Sequence, residues 1–139
     1  MAFTRQHTSL LLKRHYLGES MRRILLIEPH HDIAKRLSEC MAHLGHEVAL
    51  AENTTRALSI YTPGAFDLVV LSFFLSNKEI VETASDIRRQ SEGQPILLLS
   101  GFQPYVVKRG KKGLISACLT MPFGDKELAA MIVKLCGAP

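Results

Sequence analysis

Apolar residues in this chain fall into short unbroken runs, separated by segments where they recur every three or four positions. The run Asp67-Leu68-Val69-Val70-Leu71-Ser72 holds only leucine and valine between its ends, the pattern of a strand whose two faces both meet hydrophobic partners. It predicts the centre of a sheet. Ile24-Leu25-Leu26-Ile27-Glu28 and Ile96-Leu97-Leu98-Leu99-Ser100 predict two further buried strands. Glu47-Val48-Ala49-Leu50-Ala51 alternates enough to be an edge-side strand, and residues 114–120 form a fifth.

Helical spacing fills the gaps. Asp32 can cap a helix carrying Ile33, Leu37, Cys40, Met41 and Leu44 inward, and Gly45 stops it. Asn53 suits the cap of a second, with Ala57, Leu58 and Tyr61 apolar, ended by Thr62-Pro63-Gly64. Ser76-Asn77-Lys78-Glu79 is a capping-box pattern opening a third, which presents Ile80, Ala84 and Ile87. Gly93 and Pro95 mark the return to the fourth strand. A short, weakly specified helix over 104–109 comes next, and a last one over 125–135 places Leu128, Ile132 and Leu135 on one face. Five strands alternating with five helices predict an α/β domain with a parallel sheet covered on both faces and right-handed crossovers. Chemistry in such sheets sits at the carboxyl ends of the strands near the reversal of strand order, which points to Ser72.

Length and composition narrow this to one domain, because 139 residues with 47% hydrophobic content can bury one good core. Residues 1–20 lack the periodicity of the remainder of the chain and are expected to be a flexible amino-terminal arm before a domain over 21–139; Met21 is an alternative start. The net charge of +4 is mild, and Arg5, Lys13, Arg14, Arg22 and Arg23 against Glu19 supply part of it near the amino end. Nucleic-acid binding by the whole domain is therefore disfavoured, since it would want a basic stripe on one face. No apolar run approaches the roughly 18 residues of a membrane helix. Leu10-Leu11-Leu12 is too short for a signal-peptide core. Cys40, Cys118 and Cys136 show no CxxC spacing, so neither a disulfide framework nor a zinc site is suggested. A soluble, cytoplasmic protein is the expectation.

Candidate chemistry is sparse. Glu28, His30, His31 and Asp32 are close in sequence, but neighbouring side chains in a loop diverge and no distant ligand partner is evident, so no metal site is expected. Ser72 lies between Leu71 and Phe73, without the G-x-S-x-G elbow of a hydrolase nucleophile. Phe73 and Phe74 read as core or pocket cover. Lys108-Arg109-Gly110-Lys111-Lys112 is the strongest charge run, either a solvated turn or a surface for an acidic partner or for phosphates.

Taken in order, the strand ending in Glu28-Pro29, the run closing in Ser72, Pro95-Ile96-Leu97-Leu98-Leu99-Ser100, and Leu119-Thr120-Met121-Pro122-Phe123 before an amphipathic helix resemble the receiver domain of bacterial two-component response regulators, over about residues 22–136. The resemblance implies a doubly wound, flavodoxin-like sheet of order 2-1-3-4-5. It also implies a phosphorylation pocket, here degenerate. The family's acidic pair that holds magnesium stands here as Glu28 and Pro29. Its phosphoacceptor aspartate stands as Ser72, and its lysine before Pro-Phe as Met121. The hydroxyl closing the fourth strand is kept as Ser100, and the aromatic switch position is Cys118. Magnesium wants an oxygen shell that Glu28 alone cannot supply, and Ser72 has no carboxylate from which an acyl phosphate could form. No cofactor and no dependence on magnesium are expected.

The expected function is that of a stand-alone pseudo-receiver: an interaction module and not an enzyme. Its partner would be a histidine kinase, another regulator or an output protein, or a second copy in a homodimer. The expected surface includes Lys108, Arg109, Lys111 and Lys112. A basic nucleic-acid-binding adaptor using the arm and that run, and a ligand-binding or enzymatic reuse of the Glu28, Ser72 and Ser100 pocket, are the alternatives.

Overall fold

Leucine and valine alone make up β3 (Leu68–Leu71), and none of the four side chains has any exposed surface. A computed structural model describes residues 21–101 and 113–137 and places this strand third of five. β1 (Arg23–Ile27) lies between β3 and the edge strand β2 (Glu47–Ala51); β4 (Ile96–Ser100) and β5 (Ala117–Thr120) continue on the other side. The order is β2-β1-β3-β4-β5 and every pairing is parallel. Chain order reverses between β1 and β3, which opens the crevice in which doubly wound sheets place their sites.

Alternate side chains of the central strands enter two separate cores. Leu25, Ile27, Val69, Leu71, Ile96 and Leu98 face α2 (Thr54–Ile60) and α3 (Asn77–Gln90), whereas Ile24, Leu26, Leu68, Val70, Leu97 and Leu99 face α1 (His31–His43) and α4 (Asp125–Cys136). The period-two alternation of a strand, applied to residues that are all apolar, is what lets one sheet carry helices on both faces. Each fully buried leucine or isoleucine contributes about 1.5–3 kcal/mol.

The sheet and its order agree with the expectation, and so do two caps. Asn53 Oδ1 accepts the Arg56 N–H at 2.7 Å, and Ser76 and Glu79 close a reciprocal capping box. Three boundaries differ. The cap position of α1 is His30 and not Asp32, which sits in the first turn, where a carboxylate meets the positive end of the helix dipole. Tyr61 has left α2 for extended backbone and is buried, its hydroxyl donating to Gln94 Oε1 at 2.7 Å. β5 begins at Ala117 and not at 114, because the Ser116 hydroxyl takes the Ile96 N–H and Gly113 turns with φ +88°. Four helices lie among the described residues. The arm at 1–20, the short helix expected over 104–109, and Lys108, Arg109, Lys111 and Lys112 lie outside them.

Cys40 on α1 points its thiol at Asp125 Oδ1, 3.0 Å away on the first turn of α4. Burial, and then the hydrogen bond and charge of Asp125, push the thiol up to about 11. A thiol whose ionisation is raised by folding favours the folded state until the unfolded chain begins to ionise. Stability from this group is therefore present below about 9 and is lost as the pH climbs to about 11. Cys40→Ser should flatten the loss of stability between those two values, measured by urea unfolding at each pH, while an unchanged slope would contradict the assignment.

Candidate functional site

The register that pairs Ile27 with Leu71 brings the next residue of each strand, Glu28 and Ser72, face to face at the carboxyl ends of β1 and β3. Backbone bonds fix both positions: Ser72 N–H donates to the Ile27 carbonyl at 3.1 Å and Glu28 N–H to the Ala51 carbonyl at 3.0 Å. Glu28 is 2% exposed and Ser72 0%. A carboxylate taken out of water must find donors, or its desolvation costs several kcal/mol. Two donors are present. The Ser72 hydroxyl donates to Glu28 Oε1, and the His30 N–H donates to Oε2 at 2.6 Å. Pro29, which has no N–H to offer, turns the chain so that the amide of His30 is the next one available.

Aromatic rings lie over this pair. The exposed His30 imidazole, its Nδ1 3.4 Å from Glu28 Oε2, stacks at a tilt on Phe74 with centroids 4.3 Å apart. Phe74 in turn meets Phe73 at 4.9 Å, and Phe73 packs on the core between the sheet and helices α1 and α4. Phe73 thus anchors the loop, and Phe74, 46% exposed, is the outer cover.

Two further strands end on the same edge of the sheet. Ser100 closes β4 in register with Thr120, and Met121 N–H donates to the Ser100 carbonyl at 2.7 Å. The Met121 side chain is 43% exposed and precedes a cis bond to Pro122. Cys118 sits in β5 opposite Leu98, packed against the core beneath α2 and α3; burial pushes its thiol up. Of the residues expected at the pocket, the structure therefore joins Glu28 to Ser72 through their side chains, sets Pro29 directly after Glu28, and puts Ser100 and Met121 at the carboxyl ends of β4 and β5. Among the described residues, no group of three His, Cys, Asp or Glu side chains is arranged to hold a metal ion. The participation of His30 was not legible in the sequence. The proline ahead of it was the one signal that its amide would turn inward.

The chemistry open to this arrangement is limited. The single proton of the Ser72 hydroxyl is already given to a carboxylate, and no surface of the side chain is open to a substrate. Both Glu28 oxygens accept hydrogen bonds from within the chain.

Comparison with known proteins gives one consistent result. Residues 24–133 match the family described as response regulator receiver domain. The chain is 32% identical over 114 residues to the uncharacterized transcriptional regulatory protein YrkP of Bacillus subtilis, covering 80% of this chain and 48% of that protein. It is 30% identical over 115 residues to the transcriptional regulatory protein TcrA of Mycobacterium tuberculosis, covering 81% and 45%. The chain thus spans about half the length of these curated relatives. Among solved structures, the non-phosphorylated HemR receiver domain from Leptospira biflexa superposes with a TM-score of 0.72 at 26% identity, covering 84% of this chain and 95% of that one. TrrA from Thermotoga maritima, in complex with Mg(2+)-BeF, gives 0.70 at 27%, covering 83% and 99%.

Proposed function

The chain belongs to the response regulator receiver domain family of two-component signalling, and from that premise we propose that it signals without accepting a phosphoryl group, through contact with a protein partner. One observation carries this reading: at the carboxyl end of β3, where the resemblance puts the family's phosphoacceptor aspartate, stands a fully buried serine whose hydroxyl is bonded to Glu28. Serine offers no carboxylate for an acyl phosphate. The TrrA relative takes Mg(2+)-BeF, but the groups here do not fit magnesium. Among the described residues Glu28 is the carboxylate that meets Ser72, both of its oxygens already accept hydrogen bonds from Ser72 and His30, and Pro29 and Met121 contribute no oxygen ligand from their side chains. On this reading the pocket is a self-satisfied plug that fixes the ends of β1 and β3, and output depends on shape and surface.

The proposed partner is a kinase, another regulator, an output protein or a second copy of the chain, with Lys108, Arg109, Lys111 and Lys112 as candidate contacts and nucleic acid disfavoured. Catalysis is no part of the proposal. No helix among the described residues is long and apolar enough to cross a membrane, and a cytoplasmic site of action is proposed. A thermal melt with and without millimolar magnesium tests the pocket. The expected result is no change beyond that produced by an equal ionic strength of sodium chloride; a magnesium-specific rise of several degrees would contradict it.

A further inference from the structure

Large apolar side chains are left exposed at four described positions, Leu50, Phe74, Met121 and Val133. Phe74 stacks on His30, Met121 follows β5, and Val133 lies on α4. Leu50 has a different setting. It is 45% exposed and lines a recess of about 350 Å³ at the carboxyl ends of β1 and β2, together with Pro29 and Ala34. Glu52 and Arg56 stand at the same recess, with His31 beside them.

The charges there are not spent on each other. Among the described residues neither Glu52 nor Arg56 takes part in an ion pair, although they flank the same helix cap. The Arg56 backbone is held by Asn53 Oδ1 at 2.7 Å, so the start of its side chain is fixed, while its guanidinium has no hydrogen-bond or ion-pair partner among the described residues. The recess has the size of a small-molecule site, at the lower end of a range of about 300–1,000 Å³, and it lies on the side of a doubly wound sheet where ligands bind. The Glu28 side chain also borders it but is fully buried and already bonded to Ser72 and His30, so the recess is chemically separate from that pair.

We propose that this recess binds a small zwitterion with an aliphatic tail, of the class of a free branched-chain amino acid. The carboxylate pairs with the Arg56 guanidinium, the ammonium with Glu52, and the tail covers Leu50, Pro29 and Ala34. A plain anion would meet Arg56 but face the Glu52 carboxylate, and a plain cation would face Arg56; only a ligand carrying both charges satisfies both walls. Without an apolar tail the exposed surface of Leu50 would stay wet. This goes beyond the proposed signalling role and does not rest on it.

The test is a titration of the full-length chain with L-leucine, followed through the backbone amide signals of His31, Leu50, Glu52 and Arg56 by NMR. Saturable shifts at these amides are expected, with a dissociation constant on the order of a millimolar. Arg56→Gln and Glu52→Gln, both at exposed positions, should each weaken binding about tenfold, as should N-acetyl-leucine, which lacks the ammonium, and leucine amide, which lacks the carboxylate. No saturable shift with leucine at tens of millimolar would overturn the proposal, and so would blocked analogues that bind as well as leucine.

Discussion

Ser72→Asp should lower the stability of the domain by about 3–5 kcal/mol, the range found when a buried charge is left uncompensated. The position has no exposed surface, and Glu28 Oε1 is its hydrogen-bond partner. Aspartate there would remove the donated proton and set a second carboxylate against the first in a place water does not reach. Ser72→Ala removes the donor without adding a charge and should cost about 1–3 kcal/mol. Combining Ser72→Asp with Glu28→Gln should recover most of the larger loss, since the amide can donate where the carboxylate could not. Urea unfolding of the four chains, with unchanged denaturant slope, measures these differences. A Ser72→Asp chain as stable as the parent would mean that the pocket has room or water for a second acid.

Arg88→Ala carries the second large effect, about 2–4 kcal/mol. The Arg88 guanidinium donates to the carbonyls of Gly113, Glu92 and Gln94 and to the Ser116 hydroxyl. One side chain on α3 therefore ties the chain entering β4 to the turn entering β5. Partial burial lowers the tendency of this guanidinium to hold its proton, yet arginine starts so high that it stays charged at any pH at which the domain folds. Arg88→Lys should recover less than half of the loss, because an ammonium cannot present donors on both edges of a planar fork. The same urea experiment decides it, and equal stability of the lysine and arginine chains would show that charge alone holds this corner.

Much of the architecture was legible because the strands are extreme. Runs such as Leu68-Val69-Val70-Leu71 admit no amphipathic reading, and punctuation by Asn53, Ser76, Gly93 and Pro95 left little freedom for the helices between them. Two of the three shifted boundaries share a cause, which is that side chains compete with backbone for the same hydrogen bonds. Ser116 captured the first ladder N–H of β4 and so delayed β5. Tyr61 gave up its helical place for a buried bond to Gln94. Neither partner is near in sequence, so no local pattern announces it. At the pocket, Glu28, Ser72 and Ser100 could be placed at strand ends from their runs, whereas Pro29 and Met121 were assigned to it only through the resemblance to the receiver family. That Glu28 and Ser72 would satisfy each other depends on the register of two strands separated by two helices and another strand. The His30 and Phe74 cover depends in turn on where the backbone after Pro29 leads.

Whether the pocket of this receiver does any phosphoryl chemistry is decided by intact-mass measurement of the full-length chain after incubation with acetyl phosphate and magnesium. A pocket closed by Glu28 and Ser72 should leave the mass unchanged from that of the untreated protein. A magnesium-dependent gain of one phosphoryl group, abolished by Glu28→Gln, would contradict it.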